Sequence, residues 1–117
     1  MTKNKNYIGI DISKLSFDVA IKKGSDKYLH HKFSNDNEGF AGFKKLLNED
    51  LDVCVMEASG PYYLKLAQYL FDQSVGVSVV NPLVIRRFSQ MRMSRTKTDK
   101  KDAVIISEYG KAENPVL

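Results

Sequence analysis

Four carboxylates stand at positions from which they could meet at one site. Asp11 lies within the segment Tyr7–Ser13, whose isoleucines alternate with smaller or polar residues as in a half-buried strand, so that its side chain points away from the isoleucine face. Glu57 ends a second apolar run. Asp99 and Asp102 are three residues apart, and on a helix they would share one face. Strand ends and a helix could therefore converge.

Clustered carboxylates repel one another, and each raises the pKa of its neighbours unless a cation is present. Mg²⁺, or Mn²⁺, is the usual partner for such hard oxygen ligands near phosphate. Two such ions about 3.5–4 Å apart activate a nucleophile and stabilise the leaving oxygen in phosphodiester chemistry. Taken singly, the acids have plainer explanations: Asp99 and Asp102 could simply favour a helix N-terminus, and Glu57 could be a surface acid.

The elements that would position these acids follow from periodicity and turn signals. Alternating apolar residues predict three consecutive strands joined as an antiparallel meander, then two more strands separated by helices. A strand apolar on both faces, such as the fourth, is expected in the middle of a sheet. The five predicted strands are Tyr7–Ser13, Phe17–Lys22, Tyr28–Phe33, Asp52–Glu57 and Gly76–Val80.

Capping residues predict where the helices begin. Asn35 with Glu38 resembles a capping box before the first helix, and Ser59-Gly60-Pro61 supplies a cap and a first-turn proline for the second. Asn81-Pro82 predicts a third helix, which we expect to run to about Arg92.

The segment after the third predicted helix is polar. Ser94–Thr98 lacks apolar periodicity and predicts a loop, and Thr98 predicts the cap of a last helix from Asp99 to about Lys111. The whole order predicts an α/β fold with a mixed five-stranded sheet flanked by helices.

Charge is concentrated in one stretch. The 117 residues carry a net charge of +4, but seven cations against Asp99 alone lie between positions 86 and 101. A local positive field of this kind commonly binds polyanions, although a solvated helix face is the plainer explanation. The predicted nucleic-acid contacts are Arg86, Arg87, Arg92, Arg95, Lys97, Lys100 and Lys101.

Length and composition limit the remaining possibilities. A chain of 117 residues that is 43% hydrophobic predicts one domain over residues 1–117. The lone Cys54 lies in an apolar run and predicts a buried thiol in a reducing, cytoplasmic setting. The absence of a long apolar run predicts no membrane partner.

Four motifs together resemble the amino-terminal domain of DEDD-type insertion-sequence transposases. This group is similar to the Piv DNA invertase and includes the bridge-RNA-guided recombinases. The resemblance covers nearly the whole chain in order, and the arginine-threonine-lysine-threonine-aspartate stretch is its most specific part. The motifs are Ile8–Lys14, Met56–Tyr62, Val80–Pro82 and Arg95–Ala103.

This resemblance implies a RuvC-like member of the ribonuclease H fold. Its DEDD tetrad, which binds divalent metal, falls on Asp11, Glu57, Asp99 and Asp102. The implied function is metal-dependent phosphodiester cleavage and strand transfer in DNA transposition. The implied partners are DNA, a guide (bridge) RNA and further copies of the chain as a homo-oligomer. Because family members carry a serine in a carboxy-terminal domain and this chain ends at Leu117, we expect an isolated catalytic domain that is incomplete for strand exchange.

Two interpretations from other classes stay open at this point. One is a nucleic-acid-binding or dimerisation module with an idle tetrad. The other is a fragment of a sugar-kinase or actin-like ATPase, since those proteins also begin with isoleucine-glycine-isoleucine-aspartate. Here Ser13-Lys14 follow that start, and the glycine motif that binds adenosine does not appear. A general RuvC-type junction resolvase is a nearer alternative, which the basic motif before Asp99 disfavours.

Overall fold

The structure is a computed structural model that describes residues 6–23, 27–58, 60–96 and 102–113, with residues 92–96 and 102 described by their backbone alone. Five strands and four helices account for most of the described chain. The strands are β1 (Asn6–Ile12), β2 (Ser16–Lys23), β3 (Lys27–Ser34), β4 (Asp52–Glu57) and β5 (Gly76–Val80). The helices are α1 (Asn37–Lys44), α2 (Leu64–Asp72), α3 (Pro82–Thr96) and α4 (Asp102–Glu113).

The strands form one mixed sheet in the order β3-β2-β1-β4-β5. β1, β2 and β3 are antiparallel neighbours, whereas β4 pairs in parallel with both β1 and β5. This arrangement confirms the predicted α/β class and has the mixed five-stranded architecture of the ribonuclease H-like fold. The described helices include none that is long and apolar enough to cross a membrane.

One face of the sheet carries α1 and α2. Alternate residues of β1 and β4 point to this face, because strand side chains have a period of two. They form the larger core cluster with aromatic residues of β2 and α1 and leucines of α2; its most buried members include Ile8, Ile10, Phe17, Phe40, Phe43, Cys54, Met56, Leu66 and Leu70. Burial raises the pKa of the Cys54 thiol, as expected for a cysteine that acts as a core hydrophobe.

The opposite face carries α3 and α4. Val53 and Val55 of β4 pack there with Ile85 of α3 and with Ile105 and Ile106 of α4. Asp11 and Glu57 have the same strand parity as the residues that point to this face. The two helices of this layer therefore stand over the two predicted catalytic acids of the sheet.

A glycine of β1 lets α4 approach the sheet closely. A Cβ added to Gly9 would lie 1.8 Å from the carbonyl oxygen of Ala103. This distance is far shorter than a van der Waals contact, so any larger residue at this position would force α4 or β1 to move. Further along, Ser107 donates a hydrogen bond to the carbonyl oxygen of Tyr7, and a Cβ on Gly110 would meet Val55 and Tyr7. Since α4 passes Gly9 first and Tyr7 later, it runs antiparallel to β1, and its first turn lies toward the end of the strand that bears Asp11.

Two predicted helix starts are wrong. The N-cap of α1 is Asp36, whose carboxylate accepts the Gly39 amide at 2.9 Å, and not Asn35. The amide group of Asn35 instead donates to the carbonyl oxygens of Ser13 and Tyr62, each at 3.1 Å. Asn35, which the local pattern predicted as the cap, therefore makes hydrogen bonds to distant loops instead of capping α1.

The second helix begins later than predicted. Its N-cap is Tyr63, which makes no side-chain capping bond, and the segment before it is a turn in which the Leu64 amide donates to the Pro61 carbonyl. Gly60 has a φ of 78°, a left-handed conformation that favours a turn over a helix start. Ser59 lies outside the described residues.

Around α3 the sequence was partly right. Asn81 caps the helix as predicted, since its side-chain oxygen accepts the Leu83 amide at 2.8 Å. Residues 94–96 are helical, so the predicted loop is wrong for them; of the three, Arg95 has high helix propensity, and no glycine or proline after Pro82 interrupts the helix. The predicted cap Thr98 and the acid Asp99 lie outside the described residues, and α4 is described from Asp102.

Candidate active site

Asp11 and Glu57 lie side by side at the carboxyl ends of two neighbouring parallel strands. In the parallel pairing of β1 and β4, Ile10 lies opposite Met56, and each acid is the next residue along its strand. Both side chains point to the face covered by α3 and α4, and both are partly buried. The sequence prediction that Glu57 ends a strand next to that of Asp11 is confirmed.

Asp102 begins the helix that covers these two strands. It precedes Ala103, whose carbonyl lies against Gly9, and Gly9 is two residues before Asp11 on the same face. The backbone of Asp102 is thereby placed over the end of β1 that carries Asp11. The direction of its side chain is not described, and Asp99 lies outside the described residues.

The donor atoms fit a hard divalent cation as far as they are described. Asp11 and Glu57 offer carboxylate oxygens, the ligands that Mg²⁺ and Mn²⁺ prefer. Among the side chains that the structure describes, no three Asp, Glu, His or Cys groups lie close enough together to hold one metal ion. Two of the four predicted ligands, Asp99 and Asp102, are outside that set.

A cleft opens beside Glu57. It has a volume of about 240 Å³ and lies between the end of β4, one face of α3 and Ile105 of α4; we refer to it as the α3 cleft. The α3 residues that line it recur every three or four positions, the spacing of one helix face. They are Pro82, Ile85, Arg86, Ser89 and Gln90.

The predicted basic residues are described to different extents. Arg86 and Arg87 are exposed on α3, but only Arg86 is among the described residues that line the α3 cleft. The backbones of Arg92 and Arg95 belong to the same helix. Lys97, Lys100 and Lys101 lie outside the described residues.

Sequence reasoning missed three residues of this site. Ser89 and Gln90 are ordinary polar residues in the sequence, and the signal that could have found them is their helical spacing from Arg86. Gly9 was used as a spacer between isoleucines, whereas the structure makes it the contact point of α4. A glycine in a strand interior commonly marks such a close backbone approach.

These observations define a ribonuclease H-like domain with two acids at adjacent parallel strand ends and a helix, begun by a third aspartate, laid over them. The transposase family model of the IS110 DEDD type matches residues 8–115. The chain belongs to this family of DEDD transposases. Membership decides against the sugar-kinase or actin-like ATPase alternative.

Two curated relatives are similar along nearly the whole chain. The pilin gene-inverting proteins of Moraxella bovis and Moraxella lacunata are each 36% identical to it over 119 residues, which is 97% of this chain and 37% of theirs. The chain thus spans little more than a third of the length of these relatives.

A solved structure supports the fold. The Ppx/GppA family member of Aquifex aeolicus superposes with a TM-score of 0.50 at 14% identity, covering 80% of this chain and 40% of that one. At this identity the likeness concerns the fold alone.

Proposed function

We propose that this chain is the catalytic domain of a DNA transposase or recombinase, which cleaves phosphodiester bonds with a divalent metal ion and transfers the strands. The observation that carries the proposal is that Asp11 and Glu57 each follow the last paired residues of β1 and β4, on the face covered by α4. Family membership supports the reaction class, and relatives named for inverting a gene support DNA as the substrate.

The proposed ligands of Mg²⁺ or Mn²⁺ are Asp11, Glu57, Asp99 and Asp102. When bound there, the ion would neutralise charge on the phosphate and activate the attacking oxygen. In this proposal the reacting phosphate lies at the carboxyl ends of β1 and β4, beside Asp11 and Glu57. Parallel strand ends are common sites of this kind because neighbouring loops and helix termini meet there.

The cations of α3 and of the segment after it supply the second part of the proposed mechanism. Arg86 and Arg87 are exposed on the helix whose face borders Glu57. Guanidinium groups bind phosphate through charge-assisted hydrogen bonds, so DNA held by these residues would pass over the acidic site. The carboxylates alone would repel the backbone, and the neighbouring cations offset that repulsion.

The length of the relatives supports the proposal that different domains carry out different steps of the reaction. Because the chain spans 37% of them, we propose that it supplies the metal-dependent step and that complete strand exchange requires a further domain. A guide (bridge) RNA and a homo-oligomer are part of this proposal, and both can be tested with the purified chain by gel-shift and sedimentation measurements.

A plasmid-nicking assay tests the function. Supercoiled DNA nicked in Mg²⁺ or Mn²⁺ but not in a chelator, with loss of nicking in Asp11→Asn, would support the proposal. DNA binding without nicking under any metal condition would favour the alternative of a binding or dimerisation module, which the exposed arginines of α3 also fit. Absence of both DNA binding and metal binding would contradict the two proposals together.

A further inference from the structure

Several side chains of the α3 cleft have no role in the proposed metal-dependent reaction. Its apolar surface comes from Pro82 and from the largely buried Ile85 and Ile105. Its polar groups are Arg86, Ser89 and Gln90 on α3 and, at the end of β4, the carboxylate of Glu57. A cleft for an apolar ligand would not need a guanidinium and an amide side by side. A cleft for a simple anion would not need apolar residues as well.

A nucleotide combines both requirements. Its phosphate suits a guanidinium, which binds phosphate oxygens in a fork geometry. The edges of its base present donors and acceptors that a glutamine amide can match, and its sugar and base faces are apolar enough to pack on isoleucine. The arrangement of the cleft residues on one helix face brings these groups together on a rigid element.

The size of the cleft limits the occupant to a single unit. Its volume of about 240 Å³ lies just under the range of about 300–1,000 Å³ typical of sites that enclose a whole drug-sized molecule. A stacked base pair is larger than such a cleft. A nucleotide that fits this cleft would therefore be unpaired, turned out of the double helix or beyond its end.

The position of the cleft connects it with the reaction. Glu57 belongs both to the cleft lining and to the acidic pair at the strand ends. Any nucleotide in the cleft would thus be a near neighbour of the phosphate at the acids.

We propose that the α3 cleft seats one unpaired DNA nucleotide beside the reacting phosphodiester, with Arg86 binding its phosphate and Gln90 an edge of its base. This inference rests on the proposed function, since it takes DNA as the substrate. It adds that the protein prefers DNA with an unpaired nucleotide, and that this preference comes from two residues of α3.

Binding of two matched DNAs tests the proposal. One is a fully paired duplex, and the other is the same duplex with a single unpaired 2-aminopurine; both carry a fluorophore for anisotropy measurements in Mg²⁺ buffer. We expect wild type to prefer the second DNA. Arg86→Ala and Gln90→Ala should each reduce this preference, Arg86→Ala by about tenfold, the loss expected for a hydrogen bond to a charged group.

The chain offers close controls for both substitutions. Arg87→Ala removes the same charge from the adjacent position and should weaken binding of paired and unpaired DNA alike. Gln68→Ala removes the same side chain from α2, on the opposite face of the sheet, and should leave the preference unchanged. Thermal melts show whether each variant is folded.

The outcomes separate this proposal from the function on which it rests. Equal binding of the two DNAs by wild type, or equal losses of preference in Arg86→Ala and Arg87→Ala, would overturn the nucleotide seat and leave the DNA-binding function standing. Binding of neither DNA by wild type would overturn both. A 2-aminopurine signal that changes on binding in wild type, but not in Gln90→Ala, would support the seat directly.

Discussion

Asp11 and Asp18 are direct partners in the antiparallel register of β1 and β2, so their carboxylates stand on the same face of the sheet. Side chains opposed in this way have Cβ atoms about 4.5–5.5 Å apart, and like charges at that separation destabilise the pair. Lys32 is the register partner of Asp18 on β3, so a cation follows the two acids across the sheet. The proposed metal site therefore lies at the end of a row of charges that crosses three strands.

This row supplies a matched test of metal binding. Asp11→Asn should abolish the rise in melting temperature caused by Mg²⁺ or Mn²⁺, because it removes a ligand, while leaving metal-free stability unchanged or slightly higher. Asp18→Asn removes the same repulsion but should keep the rise. At a metal concentration about a hundred times Kd the stabilisation is about 2.7 kcal/mol, or about 10 °C for a domain of this size.

Thermal melts with metal and with a chelator decide between this and a plain capping role. If Asp102 serves only a helix N-terminus, Asp102→Asn lowers stability modestly whether or not metal is present. Identical wild-type curves in metal and in chelator would exclude a metal centre in this chain.

Replacing Gly9 by Ala should be strongly destabilising. The added Cβ would lie 1.8 Å from a backbone carbonyl of α4, so the helix has to move. We expect a loss of about 3 kcal/mol or more in the free energy of unfolding, at the upper end of overpacking effects, together with weaker metal binding because Asp102 moves with the helix.

Gly42→Ala is the control for that substitution. Gly42 lies inside α1, where a Cβ would make only ordinary contact, 3.5 Å from the Phe33 ring. Alanine should therefore stabilise the protein by about 0.5–1 kcal/mol through its helix propensity. Chemical denaturation measures both changes, and a Gly9→Ala protein as stable as wild type would show that α4 does not pack on β1 as described.

DNA binding should fall steeply as salt is raised. If all seven cations between positions 86 and 101 meet duplex phosphates, the slope of log affinity against log salt is about −6, and each lost contact reduces its magnitude by about 0.9. The triple variant Arg92→Ala, Arg95→Ala and Lys97→Ala should reduce it by about 3. Lys65→Ala, on α2 across the sheet, should leave the slope as it is; a triple variant with the wild-type slope would remove these residues from the interface.

Acid should weaken the start of α1. Hydrogen bonding to the Gly39 amide, and then to the Ser34 hydroxyl, lowers the pKa of Asp36 from its ordinary 3.8. A depressed folded pKa means that the stabilisation is present above pH 3.8 and is lost as the pH falls through the lower, folded value. Asp36→Asn should keep the cap but lose this dependence, whereas Asp36→Ala should melt a few degrees lower at neutral pH.

Melting temperatures measured between neutral and strongly acidic pH test this. Parallel pH curves for wild type and Asp36→Asn would show that the carboxylate contributes nothing beyond hydrogen bonding.

Local patterns were sufficient to predict much of the sheet. β4 and β5 have the bounds that their apolar runs predicted, and the pairing of Asp11 with Glu57 followed from placing one strand beside the other. These features depend on turn residues and on the alternation of apolar and polar residues along a strand, both of which can be read directly from a sequence.

The remaining features depend on contacts between distant parts of the chain. Asn35 has the right chemistry for a helix cap, but it bonds to two loops that the sequence alone does not bring near it. The α3 cleft needs β4, α3 and α4 to be assembled before Arg86 and Gln90 acquire a common neighbour in Glu57. α3 continues through Thr96 although its last residues lack apolar periodicity, since no glycine or proline after Pro82 breaks it.

The hydrogen bond from Ser107 to Tyr7 joins residues 100 positions apart and has a consequence for biosynthesis. The β1–β3 meander can form while the ribosome is still translating, because its partners are close in sequence. The face of β1 that bears Gly9 and Asp11 has to wait for α4, the last described helix to emerge. A nascent chain therefore carries its first acid exposed, and the proposed catalytic centre is completed only after α4 has been translated.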